Sequence, residues 1–217
     1  MNKFRIIKSL IKNNPIIVEI GAHYGEDSAR FLKVFTGITL HCIEPDPRNI
    51  QAIRKYLNDP RMKTHELAIS NKDGEADFHL SYNKEITNKT LQKYGWISKE
   101  DYINLNLNSS GASSLKLGYP LHHKTVKVKT SRLDTWMREC KISRIDFLWI
   151  DVQGAEKEVI EGLGSAIIDF IWVEYGETEY EGSLTRKQTI SLLVQKGYKL
   201  VKKHSSIGPK GDLLFQR

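Results

Sequence analysis

From Pro15 onward the chain alternates short apolar runs with stretches of helical periodicity. That alternation is the pattern of a mostly parallel sheet with helices packed on both faces, an α/β doubly wound architecture. Strands are expected at 16–20, 38–43, 62–69, 75–80, 125–130, 145–150 and 170–175. Helices are expected at 26–35, 46–57, 133–140, 155–162 and 185–197. Asp46 suits an N-cap, because its carboxylate can accept first-turn amide hydrogens while Pro47 fills the first helical position. Two last strands, 198–203 and 212–216, read as a C-terminal antiparallel hairpin.

The 217 residues are expected to form a single domain, long enough to bury a core without a disulfide or structural metal. Cys42 and Cys140 make neither a disulfide framework nor a zinc ligand set, which points to a reducing, cytoplasmic setting. Residues 1–14 are basic, but Lys8 and Lys12 interrupt their apolar residues, unlike a signal peptide. Phe4, Ile7 and Ile11 recur instead at the spacing of a short amphipathic helix. No apolar run is long enough for a membrane span.

Between about 81 and 123 the periodicity fails. So long an irregular stretch in a compact domain usually carries function. It is expected to recognise the acceptor or to act as a lid, with helical turns at 89–105. Tyr94, Trp96 and Tyr102 can stack on a sugar or base, and Ser109 to Ser114, Ser113 included, can close over a ligand. The alternative is that the aromatic residues pack a small satellite helix.

In an open parallel sheet, ligands bind beyond the carboxyl ends of the strands. Four of those ends carry carboxylates here: Glu19 before Gly21–Gly25, then Glu44, Asp151, and Glu174 with Glu177. Gly21 and Gly25 allow a tight turn and close approach to a ligand. Glu44 stands near the spacing at which an acid reaches a ribose hydroxyl pair. A dinucleotide site would want a third glycine and no carboxylate beside the pyrophosphate, whereas here Ala22 and His23 fill the turn and Glu19 adjoins it. An acidic turn suits the ammonium and sulfonium end of S-adenosylmethionine better than NAD.

These segments, Glu19-Ile-Gly-Ala-His-Tyr-Gly25, Cys42-Ile-Glu-Pro-Asp-Pro47, Leu67-Ala-Ile-Ser70 with Asp73-Gly74, Ile150-Asp-Val-Gln-Gly-Ala-Glu156 and Val173-Glu174, together resemble the FkbM-type family of S-adenosylmethionine-dependent methyltransferases. The resemblance runs from about Val18 to Phe215. It implies a Rossmann-like class I methyltransferase fold with seven strands, the last antiparallel, and O-methylation of a hydroxyl on a sugar, glycan or small metabolite. It also implies that Glu19, Gly21, Ala22, His23 and Gly25 line the methionine end, that Glu44 holds the ribose, and that Leu67 and Ala68 border the adenine. Asp151, Gln153 and Glu156 fall on the family's second signature, near the substrate. Three positions depart from the family pattern, which usually has Asn at 23 and Glu at 153, and often Lys at 149, where this chain has His23, Gln153 and Trp149. Glutamine cannot take a proton, so no acid–base role falls to Gln153.

Methyl transfer to oxygen needs a base for the hydroxyl proton. Asp151 is the first candidate, with Glu174 and His23 in reserve; the competing reading makes Asp151 a cap of the helix that follows. Glu156 and Glu158 suit a first helical turn. His122 and His123 read as surface residues. Asp151, Gln153 and Glu174 carry oxygen donors suited to Mg²⁺, but nothing in their spacing demands a metal. The formal charge of +7 favours an anionic partner and leaves open an RNA-directed or non-catalytic version of the fold. Lys124, Lys127 and Lys129, and Lys199, Lys202 and Lys203, sit at the spacing of solvated strand faces rather than one binding patch.

Overall fold

The first strand, β1 (Ile16–Ile20), is apolar except for Glu19 and is covered on both faces. In a computed structural model describing residues 3–85, 96–176, 180–205 and 210–217, it lies next to the central strand of a seven-stranded sheet. Around it follow β2 (Thr39–Ile43), β3 (Met62–His65), β4 (Ala68–Ile69), β5 (Gly74–Ser81), β6 (His122–Ser131), β7 (Ile145–Ile150), β8 (Ile168–Gly176), β9 (Lys199–Ser205) and β10 (Lys210–Gln216). The helices are α1 (Lys3–Leu10), α2 (Glu26–Val34), α3 (Pro47–Tyr56), α4 (Lys99–Asn104), α5 (Leu133–Glu139), α6 (Glu156–Glu161) and α7 (Arg186–Gln195), with a 3-10 turn at Ser110–Ala112.

The large sheet runs β3-β2-β1-β7-β8-β10-β9. Its strands are parallel except β10, which inserts antiparallel between β8 and β9. This is the expected doubly wound sheet with its C-terminal antiparallel pair. Strand order reverses between β1 and β7, so the crevice where such folds bind ligands opens there.

One face packs α5, α6 and α7 over Val18, Leu148 and Ile171. The other packs α1 and α2 over Ile17, Phe147 and Trp172. At its centre Phe31 meets Phe4 edge-on, with centroids 5.1 Å apart, and Trp149 stacks on Trp172 at 5.6 Å. Phe4 and Ile7 of α1 are buried, as its amphipathic spacing predicts.

A second sheet, β4-β6-β5, corrects two expectations. The run 62–69 is two strands: His65 ends β3 beside Ile43, whereas Ala68 and Ile69 pair with Thr130 and Ser131. Between them Glu66 turns out to solvent toward Arg54, at 3.1 Å. The strand expected at 125–130 starts at His122, because all of β5 pairs antiparallel along it.

Within 82–121, α4 and the 3-10 turn supply the regular structure among the described residues; Tyr94 and the first part, 89–95, of the stretch expected to hold helical turns lie outside them. Tyr102 is buried with Tyr24, Ile97 and Leu107, so it packs a satellite cluster. Arg48 clamps this segment to the start of α3. Its Nε and Nη2 donate to Asp46 at 2.9 and 2.6 Å, Nη1 donates to Asn106 O at 3.1 Å, and Nη2 also reaches Ser81 O and Ser113 Oγ, both at 3.1 Å. Asp46 caps α3 as expected, accepting from Arg48 N at 2.9 Å.

Truncating the ring at the heart of the α1–α2 face leaves a cavity that rigid neighbours cannot close. Phe31→Ala is expected to cost about 3–5 kcal/mol in urea unfolding, with no change of fold by circular dichroism.

Candidate active site

Gly21, at the end of β1, has φ 84° and lies so close to β7 that a Cβ there would fall 1.7 Å from Asp151 O. Only glycine can make that turn. Its amide donates to Ile43 O at 2.9 Å, and Asp151 N donates to Ile20 O at 3.0 Å, so the ends of β2, β1 and β7 are tied together.

Two clefts open on either side of this junction. The first, about 300 Å³, is lined by Gly21, His23, Glu44, Leu67, Ala68, Asp151 and Gln153, with Ser113 at one wall. The second, about 510 Å³, is lined by Glu19, Ala22, Asp27, Arg30, Trp96 and Trp149. Gly21, His23, Glu26 and Asp151 belong to both. Sequence reasoning thus identified residues that gather at one junction, but it did not divide them between two chambers. It also missed Asn49 and Phe78 in the first cleft and Asp27 and Arg30 in the second, because no local pattern marks them.

Glu44 is buried and well bonded: it accepts from His23 N and Asp46 N, both at 2.9 Å, and from Asn49 Nδ2 at 3.2 Å. Burial, with the charge of Asp46 beside it, pushes its carboxyl up to about 8. Its neighbours Leu67, Ala68, Ile69 and Phe78 make an apolar wall. A carboxylate beside an apolar slot and a glycine turn free of side chain fits an adenosine with a short cationic tail, and offers no cation to a pyrophosphate.

His23 sits at φ 53° with Nδ1 3.0 Å from Glu26 Oε1 and Nε2 3.0 Å from Ser110 Oγ. Both ring nitrogens are engaged, so it joins the turn after β1 to the irregular segment. Ser113 lines the first cleft, yet its hydroxyl is bonded to Asp46 at 3.1 Å and to Ser81 N at 3.0 Å. Glu19 accepts from Ser28 and is held well above its usual range by burial. Gly25 lines neither cleft; it precedes α2 and backs on Leu57.

Asp151 does not cap α6, which starts without a side-chain cap. Its Oδ1 accepts from Gln153 Nε2 at 2.6 Å, and Gln153 Oε1 in turn accepts from Tyr180 at 3.2 Å. Gln153 therefore does for Asp151 what a glutamate would not: it donates to the carboxylate instead of repelling it. Asp151 also shares a hydrogen bond with Glu174, at the neighbouring strand end. Burial raises both groups, and Glu174, beside the Asp151 charge, is pushed up to about 9. Lys3 Nζ lies 4.1 Å over the Trp149 ring and bears electrostatically on Asp151. A cation, which the resemblance leads one to expect at position 149 itself, thus reaches this ring from α1.

Glu156 lines neither large cleft. It faces a third cavity of about 20 Å³ together with Glu174, Tyr180 and Lys210. One oxygen accepts from Gly154 N at 3.0 Å, the other is buried without a hydrogen-bond partner, and burial raises the group to about 7. Among the described residues, no group of three or more His, Cys, Asp or Glu is arranged to hold a metal ion. No described helix is long and apolar enough to cross a membrane.

The model of the FkbM methyltransferase domain matches residues 19–200. The 2-O-methyltransferase NoeI of Sinorhizobium fredii is 31% identical over 222 residues, spanning 98% of this chain and 83% of that protein. Among solved structures, Aeropyrum pernix fibrillarin with natively bound S-adenosyl-L-methionine superposes with a TM-score of 0.53 at 13% identity, covering 98% of this chain and 72% of that one. A precorrin-6y C5,15-methyltransferase from Geobacter metallireducens gives 0.51 at 9% identity, covering 99% and 86%. These two share the fold. With the domain match and the NoeI relationship, the chain belongs to the FkbM-type family of S-adenosylmethionine-dependent methyltransferases.

Proposed function

We propose that this protein methylates a hydroxyl of a neutral, sugar-like acceptor, binding S-adenosylmethionine in the first cleft and the acceptor in the second. The observation that carries this reading is that the two clefts meet at Asp151, Gly21, His23 and Glu26. Glu44 would hold the ribose, Leu67 and Ala68 the adenine, and the Gly21 turn the methionine end. The Sinorhizobium fredii relative is a 2-O-methyltransferase, which supports oxygen as the accepting atom.

The lining of the second cleft argues for a neutral acceptor in place of the anionic one suggested by net charge. Glu19, Glu26, Asp27 and Asp151 face it, against Arg30 as the cation. Arg30 already donates to Asp27 at 2.8 Å, and Lys3 reaches the same carboxylate at 3.3 Å. Trp96, 36% exposed and held edge-on by Tyr24 and Tyr56, offers the flat apolar surface that a sugar ring covers. Residues 81–123 act in this reading as the acceptor-facing part of one methyltransferase domain, clamped by Arg48.

The donor supplies a methyl group already activated by its sulfonium. The protein must bring a hydroxyl oxygen into line with it and take away the proton. Asp151 faces both clefts and takes that proton. Gln153 donates to it, and before the donor binds Glu174, raised to about 9, carries the proton the two carboxyls share at neutral pH. Asp151 is thereby left as the base.

Asp151→Asn is expected to lower kcat by about 10²–10⁴ in a radiolabelled methyl-transfer assay on a saccharide acceptor. Calorimetry of the same variant with the demethylated product should show little change in affinity; full turnover would remove Asp151 from the mechanism. Trp96→Ala should raise the acceptor KM about two- to tenfold with kcat nearly unchanged, and Trp96→Phe should recover most of the loss.

A further inference from the structure

The hydroxyl proton is not the only one this site must manage. Asp151 and Glu174 stand side by side because β7 and β8 are in register, Ile150 opposite Val173, so the residues that follow meet toward the carboxyl ends of these strands. Two carboxyls joined by a hydrogen bond hold a proton between them. One partner, Asp151, lines the donor cleft; the other, Glu174, lies behind it and faces the small cavity shared with Glu156. We propose that this carboxyl pair distinguishes the methyl donor from the spent product: it gives up its shared proton when the cationic sulfonium binds and regains it when the neutral thioether is left. The inference rests on the methyltransferase reading above and concerns the protein's own proton.

The surroundings favour such a response. The cations near the pair are Lys3 of α1, Arg30 of α2, which lines the second cleft with Asp151, and Lys210 of β10. Against them stand Glu19 of β1, Glu26 and Asp27 of α2, Glu156 of α6 and Asp212 of β10, each of which bears on one member of the pair or shares a cleft with it. With acids in excess, the pair holds its proton until a further positive charge arrives. Burial strengthens that coupling, since few water molecules intervene. Glu174, raised to about 9, keeps the proton throughout the neutral range in the free protein. The sign follows: binding that expels a proton tightens as pH rises, here up to about pH 9, and levels off above it. The thioether product brings no such charge, so its binding lacks this contribution. Glu44 also titrates, near 8, but it serves the adenosine common to both ligands and cancels from their comparison.

The experiment is calorimetric titration of the full chain with S-adenosylmethionine and with S-adenosylhomocysteine, each in phosphate and in Tris. The dependence of the observed heat on buffer ionisation enthalpy gives the protons released. At pH 7.5, S-adenosylmethionine should release about half a proton or more beyond its product. The ratio of the two affinities should move in favour of the donor by several-fold, at most about tenfold, per pH unit between 6.5 and 8.5. Glu174→Gln, which keeps the shape and a hydrogen bond to Asp151 but has no proton to share, should abolish the difference, as should Asp151→Asn. Equal proton release by the two ligands in the unmodified protein overturns the proposal while leaving the methyltransferase reading intact. A difference that persists in Glu174→Gln overturns it too. Binding of neither ligand overturns both.

Discussion

The contact on which the site depends is backbone against backbone: Gly21 lies against the carbonyl of Asp151, where the strand order of the large sheet reverses. Any side chain at Gly21 would push β1 and β7 apart at their ends. With none, the turn after β1 can pass under Asp151 and leave open space on both sides of it. One strand-end geometry therefore makes both chambers and sets Asp151 between them. The tie of Gly21 N to Ile43 O extends the same arrangement to Glu44, which continues directly from β2.

Around this junction the protein buries or half-buries carboxyls that are not neutralised by buried cations. Glu19 is held by a serine, Glu44 by backbone amides and an asparagine, Asp151 by a glutamine, and Glu174 by Asp151 itself. Removing a carboxylate from water without a paired charge raises its affinity for protons. The result is a set of acids raised above their usual range beside a cleft suited to a cationic ligand. Fixed ion pairs in the same places would have set these charges once and for all, with nothing left to respond to a ligand.

The large sheet was legible in the sequence because its signals are local: apolar runs of strand length, helical spacing between them, Pro47 after Asp46, glycines at the turn. The second sheet was not. β4 is two residues long and pairs with Thr130 and Ser131, far along the chain, so its strand character comes from a partner and not from its own residues. The irregular segment hid its order for a similar reason. Arg48 organises it from α3 through bonds to Ser81, Asn106 and Ser113, and no pattern within 81–123 announces a clamp located elsewhere. At the site, residue types gave Glu44 and Asp151, but their roles depend on partners. Gln153 looked like the loss of an acid and is a donor to Asp151. Trp149 looked like the loss of a cation and is the ring over which Lys3 brings one back.

Net charge was the least informative of the sequence properties, for a physical reason. Charge on exposed side chains is screened within about 10 Å at ordinary salt, so a total of +7 says little about the potential inside a cleft. Lys127 and Lys129 lie on the solvent face of β6, where they pair with Asp77 and Glu139 at 2.8 and 3.9 Å. Lys199, Lys202 and Lys203 belong to β9 at the sheet's edge, where lysines discourage pairing with other chains. These basic residues face solvent on strands and lie outside both clefts, whereas the acids converge on the junction between them. A chain can thus be basic in sum and acidic where it binds, and the local balance bears on the ligand.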